Sequence, residues 1–201
     1  MAFNKIISAA FVIILITIFG TFFIQSRPNY KVSQCPLSFG ENQKNIECGI
    51  LSVLQDDYNV FGQRLTIPII IVKAKTQKEN LAPVIYIHGG PGGGVLEDLP
   101  EKLNSPMGKE LIAQDQDWIF FDQRGTGLSF PKLDCGNIAL NDAGPQSMEV
   151  VGNLQNCAEK LKTGGIKFEN YNSQYVIKDI KSLNSVLGIR KFNLYGNSYG
   201  T

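Results

Sequence analysis

Three short stretches hold residue types whose spacing could do chemistry. They are His88-Gly89-Gly90-Pro91-Gly92-Gly93-Gly94, the Asp122-to-Ser129 stretch DQRGTGLS, and Gly196-Asn197-Ser198-Tyr199-Gly200-Thr201. The last has the G-x-S-x-G spacing of a sharp strand-to-helix turn that holds a serine hydroxyl out of the backbone. Gly196 and Gly200 are needed because strand and helix approach closely there. A serine hydroxyl so presented is a nucleophile for acyl transfer, provided that a base takes its proton. The glycines after His88 let the backbone pass close to a bound group, and exposed N–H groups there can stabilise a tetrahedral oxyanion. The expected donors are the Tyr199 N–H and one from Gly89 or Gly90. In the middle stretch, Asp122 and Arg124 are expected to form a bracing ion pair, and His88 is expected to be structural rather than a general base. A phosphate cradle fits poorly: Gly90-Pro91-Gly92 is followed three places on by Val95, which breaks G-x-G-x-x-G, and no G-K-[ST] occurs.

Each stretch follows a short apolar run of the kind that forms buried parallel strands: Val84 to Ile87, Trp118 to Phe121, and Phe192 to Tyr195. Two earlier strands are expected at Ile50 to Leu54 and Leu65 to Lys73, joined by an Asp/Asn/Gly turn at Asp56 to Gly62. Helical patterns cover Met107 to Gln114 and Ser147 to Leu161. A third places Tyr175, Val176, Ile180, Leu183, Val186 and Leu187 on one face, with Asn172 or Ser173 as N-cap and Gly188 as its stop. Strands alternating with helices predict an α/β fold around a mostly parallel sheet of about five strands, antiparallel at its start. Its working residues would sit past the carboxyl ends of the strands.

A chain of 201 residues with net charge +1 and no basic block can bury a sizeable core and offers no electrostatic footprint for nucleic acid. Between Lys5 and Arg27 no residue is charged, and a run of that length can cross a bilayer. Residues 1–27 therefore read as a signal-anchor or a cleaved signal, the first being favoured because no A-x-A-like site follows the apolar run. Either way residues 28–201 form an extracytoplasmic domain, membrane-anchored if uncleaved and secreted or periplasmic otherwise. Cys35, Cys48, Cys135 and Cys157 all lie in that domain, and their even number suits disulfides. Three pairings are open. No C-x-x-C occurs and His88 is the sole histidine, so neither a metal nor another cofactor is expected.

The three motifs, in this order, resemble the proline iminopeptidase and tripeptidyl-aminopeptidase family of serine peptidases, built on the α/β-hydrolase fold. The stretch ECGILSVLQDDY is similar to the entry strand of the secreted tripeptidyl-type members, with Gln55 where those carry leucine, and PKLDC followed by Cys157 fits the same branch. The resemblance runs from about Cys35 to Thr201. It implies Ser198 as nucleophile, an oxyanion hole from the Gly90 and Tyr199 amides, and the pairs Cys35–Cys48 and Cys135–Cys157.

In that fold the triad runs Ser, then Asp or Glu, then His. Three residues follow Ser198, so the expectation is the N-terminal half of such a sheet, inactive and poorly soluble alone, its Asp, His and C-terminal half lying in a longer parent protein. The expected function of that parent is an exported aminopeptidase acting on peptide substrates through an acyl-enzyme. An esterase of the same fold taking small acyl groups, or a membrane-tethered binding module without chemistry, are the alternatives.

Overall fold

The computed structural model describes residues 27–76, 81–112, 115–136 and 148–201. The apolar run expected to be an N-terminal hydrophobic helix lies outside them. Among the described residues, no helix is long and apolar enough to cross a membrane.

Among the described residues, six strands form one mixed sheet: β1 (Asn29–Val32), β2 (Ile46–Leu54), β3 (Arg64–Val72), β4 (Val84–Ile87), β5 (Trp118–Phe121) and β6 (Asn193–Gly196). Their order across the sheet is β1-β2-β3-β5-β4-β6. The β1–β2, β2–β3 and β3–β5 pairs are antiparallel, whereas β5–β4 and β4–β6 are parallel. The sheet is therefore mixed rather than mostly parallel. It holds one strand more than expected, since β1 is too short and polar to give a period-two signal. Pro68 in β3, which lacks an N–H, falls just past the point where β5 stops pairing at Ile69.

The described residues also form the helices α1 (Leu99–Asn104), α2 (Pro106–Ile112), α3 (Met148–Thr163) and α4 (Ser173–Leu187), of which α1 and α4 supply side chains to the cores on the two faces of the sheet. Successive side chains of a strand point to opposite faces. On one face Ile70, Trp118 and Phe120 join Leu99 and Leu103 of α1. On the other, Ile69, Ile119 and Phe121 join Val176, Ile180 and Leu183 of α4. Helix α4 has the boundaries that its caps dictate. The Asn172 side chain accepts from the Gln174 and Tyr175 N–H groups, at 3.0 and 3.2 Å, and Gly188 closes the helix at φ 68°. Its buried face also carries Asp179 and Asn184, polar residues on an otherwise apolar stripe. Helix α1 has no counterpart in the sequence pattern, because at six residues it is too short to show a helical period.

The cysteines form two disulfides, Cys35–Cys48 and Cys135–Cys157, with Cα atoms 5.1 and 5.6 Å apart. This is the near-neighbour pairing that the resemblance implies.

Candidate active site

The loops after β4, β5 and β6 emerge from the same edge of the sheet. Gly196 lies level with Ile87, the last residue of β4, and the Asn197 N–H donates to the Ile87 carbonyl at 3.1 Å. The chain then turns. Ser198 takes φ 52°, the left-handed region that an L-residue enters only at a cost, and is the one described non-glycine residue to do so. Its side chain is exposed, and a single 3-10 turn, Ser198–Gly200, follows. Among the described residues its hydroxyl takes part in no hydrogen bond, nor do the N–H groups of Gly90 and Tyr199.

Close approach explains the two elbow glycines. A Cβ on Gly200 would run into the Ile87 carbonyl, and one on Gly196 would strike the Gly200 carbonyl oxygen. The Gly-rich loop meets the elbow at Gly89, where a Cβ would come within 2.8 Å of the Asn197 oxygen and 2.9 Å of the Ser198 Cβ. Sequence spacing alone leaves the distance between these two segments open, and strand pairing brings them into contact. Gly90 lies on the exposed side of that loop at φ 135°. His88 is engaged in holding the loop. Its Nδ1 shares a hydrogen bond with the Tyr86 hydroxyl at 3.2 Å, and Gln123 Nε2 donates to its carbonyl at 2.8 Å.

The expected Asp122–Arg124 pair does not form. A turn closed by the Thr126 N–H on the Gln123 carbonyl, at 3.0 Å, interrupts the strand period between the two residues and sends them apart. Asp122, fully buried, accepts from the N–H groups of Val95 (2.6 Å), Leu96 (3.1 Å) and Leu128 (2.7 Å). It thereby staples the end of the Gly-rich loop to its own. Arg124 turns to the α4 side, where Nε and Nη2 donate to Asp179 Oδ2 and Oδ1 at 2.8 and 2.6 Å. Nη1 donates to the Asn170 carbonyl at 2.9 Å and the Gln55 carbonyl at 3.3 Å, and the guanidinium carbon sits 4.7 Å from the centre of the Tyr175 ring. Burial pushes the Asp179 carboxyl up, opposed by the two hydrogen bonds from Arg124.

Sequence reasoning misses Asp179, although a signal is present: an acid at i+3 and i+4 spacing from apolar residues of α4 faces the core and needs a cation there. The sequence singles out Gln55 only as a departure from leucine, and the fold shows what it does. Buried just past the end of β2, its amide nitrogen donates to the Gly165 carbonyl at 3.0 Å, and its amide oxygen accepts from the Lys167 N–H, also at 3.0 Å.

The whole arrangement sets an exposed serine on a left-handed turn beside an exposed glycine loop, a geometry in which a hydroxyl and backbone amides could meet one acyl group. Over 173 residues the chain is 26% identical to the tripeptidyl aminopeptidase of Streptomyces lividans, covering 79% of this chain and 32% of that one. Over 119 residues it is 25% identical to the proline iminopeptidase of Xylella fastidiosa, covering 59% and 25% respectively. The crystal structure of proline iminopeptidase from Mycobacterium smegmatis superposes with a TM-score of 0.44 at 15% identity, over 68% of this chain and 33% of that one. The chain thus spans about a third or less of the length of these curated relatives. Residues 82–201, from the approach to β4 through the Ser198 elbow, match the family model of the alpha/beta hydrolase fold, and the chain belongs to that family.

Proposed function

We propose that Ser198 is the nucleophile of an exported serine peptidase that releases residues or short peptides from peptide N-termini. The observation that carries this reading is the exposed Ser198 at φ 52°, packed against Gly89. Its Oγ attacks the scissile carbonyl carbon and loses its proton to a base. The carbonyl oxygen, now negative, accepts hydrogen bonds from the Gly90 and Tyr199 N–H groups. The C–N bond breaks, the amine leaves with the proton, and water hydrolyses the acyl-enzyme. His88, whose Nδ1 is engaged with the Tyr86 hydroxyl, is not assigned the role of base in this reading. The two disulfides and the apolar residues 6–26 support an extracytoplasmic site, with residues 1–27 retained as a membrane anchor. A peptide rather than an ester is favoured because the named relatives are aminopeptidases.

The test is active-site labelling of the protein by a fluorophosphonate probe. The adduct is expected on Ser198, absent in Ser198→Ala, with peptidyl-naphthylamides turned over in preference to nitrophenyl esters. An adduct on any other residue, or one that survives Ser198→Ala, refutes the assignment.

A further inference from the structure

β3 runs antiparallel to β5 with Ile69 opposite Phe121, so Arg64 to Pro68 extend past the carboxyl end of β5. The tip of the β2–β3 hairpin, residues 55–63, therefore stands at the same edge of the sheet as Ser198. It lies three strand spacings from β6, or about 14 Å across the sheet. β1 starts at that edge too. Asn29 pairs with Ser52, and the Arg27 carbonyl accepts from Arg64 Nη2 at 3.0 Å. The chain from Ser26 to the start of β1 at Asn29 spans at most ~10 Å. Residues 1–26, apolar from Ile6 onward, thus join the described domain directly beside the hairpin tip.

That tip is aromatic and exposed. Tyr58 is 92% and Phe61 72% accessible. Phe130, 65% accessible, is held at the same edge by paired backbone hydrogen bonds with Thr66, at 2.8 and 2.9 Å. Aromatic rings are favoured at the headgroup level of a bilayer, where an apolar body and a wet edge are both accommodated. The two carboxylates of the tip bring no net charge against lipid. Lys167 Nζ lies 2.6 Å from Asp56, and Lys178 Nζ lies 2.6 Å from Asp57.

We propose that this edge of the sheet faces the lipid bilayer, with Tyr58 and Phe61 seated at headgroup level and the mouth of the Ser198 site opening beside them. The inference rests on the reading above that residues 1–27 are a retained membrane anchor. A tether this short holds the edge it enters against the lipid, so the aromatic tip and the nucleophile share the membrane-facing side. Strand twist of about 20–25° per step leans β6 away from the tip, which leaves the site beside the contact rather than under it. The acyl groups that reach Ser198 are then those presented from the membrane surface.

The experiment uses the full chain with vesicles of phosphatidylethanolamine and phosphatidylglycerol containing brominated acyl chains. Two variants are compared, Phe61→Trp at the tip and Leu81→Trp, the latter ahead of β4 at the opposite edge, each against the buried Trp118 as common background. Emission from Phe61→Trp is expected to shift to the blue and fall about twofold, as for an interfacial aromatic, while Leu81→Trp is unaffected. Vesicle-bound chain with no quenching at Phe61→Trp, or with quenching equal at both positions, overturns the orientation and leaves the anchor standing. A chain that does not sediment with vesicles overturns both.

Discussion

Replacing Asp179 with alanine leaves Arg124 charged, 4% exposed, and without its bidentate partner. Two carbonyls remain, those of Asn170 and Gln55, with the Tyr175 ring as a third contact, and none of these carries a full negative charge. Breaking a buried pair on one side costs about 3–5 kcal/mol. In a domain of this size each kcal/mol moves the midpoint by about 2–4 °C, so Asp179→Ala should lower Tm by about 10 °C. Replacing both partners by leucine removes the stranded charge and should recover most of that loss, because an apolar pair of similar volume is often as stable as the ion pair. The assay is thermal unfolding of the full chain in mild detergent, followed by far-UV circular dichroism for wild type, Asp179→Ala and the double leucine variant. A single variant within about 1 kcal/mol of wild type would mean that the pair behaves as an exposed one. A double variant as damaged as the single would mean that packing around α4, rather than the uncompensated guanidinium, sets the cost. Either result refutes the reasoning.

Two further outcomes are expected. Gly89→Ala puts a methyl group against the Asn197 carbonyl and the Ser198 Cβ, and a displacement of about 1 Å at a nucleophile costs about 100-fold in rate. Fluorophosphonate labelling of the protein should slow by that order while the far-UV spectrum is unchanged; labelling at the wild-type rate would show that the two segments are not in contact. Tyr171 has its hydroxyl buried without a hydrogen-bond partner among the described residues, and burial pushes its phenol up to about 12. Between the ordinary tyrosine value and 12 the folded state holds a proton that the unfolded chain releases, so stability falls as pH rises through that window. Tyr171→Phe should flatten this alkaline loss in denaturant titrations and leave stability at neutral pH equal or slightly higher; an unchanged alkaline slope would count against it.

Much is legible in the residues alone, and for local reasons. The strands Val84–Ile87 and Trp118–Phe121 have the boundaries that their apolar runs predict, because short runs closed by glycine or a turn are self-defining. Helix α4 is readable because Asn172 and Gly188 are caps whose chemistry is carried by single residues. Ser198 stands out because G-x-S-x-G fixes a turn over five residues, and its φ of 52° is the strain that such a turn stores. Partners across space are another matter. Asp122 and Arg124, two apart in the chain, look like each other's counter-ions. One turn at Gln123–Thr126 sends the first to three amides of neighbouring loops and the second to Asp179, which is 55 residues away. The spacing of Asp179 shows that it faces the core but not which cation it meets, and Gln55 gives no sign of its role, since a buried polar group is defined by what it meets rather than by its neighbours in the chain. The contact of Gly89 with Ser198, and the shared edge of hairpin tip and elbow, follow from strand register, which no local pattern encodes. Sequence determined the pieces and their turns, because dihedral preference and side-chain period are local. Only the folded sheet decided which pieces touch, because long-range contacts are set by how the faces pack.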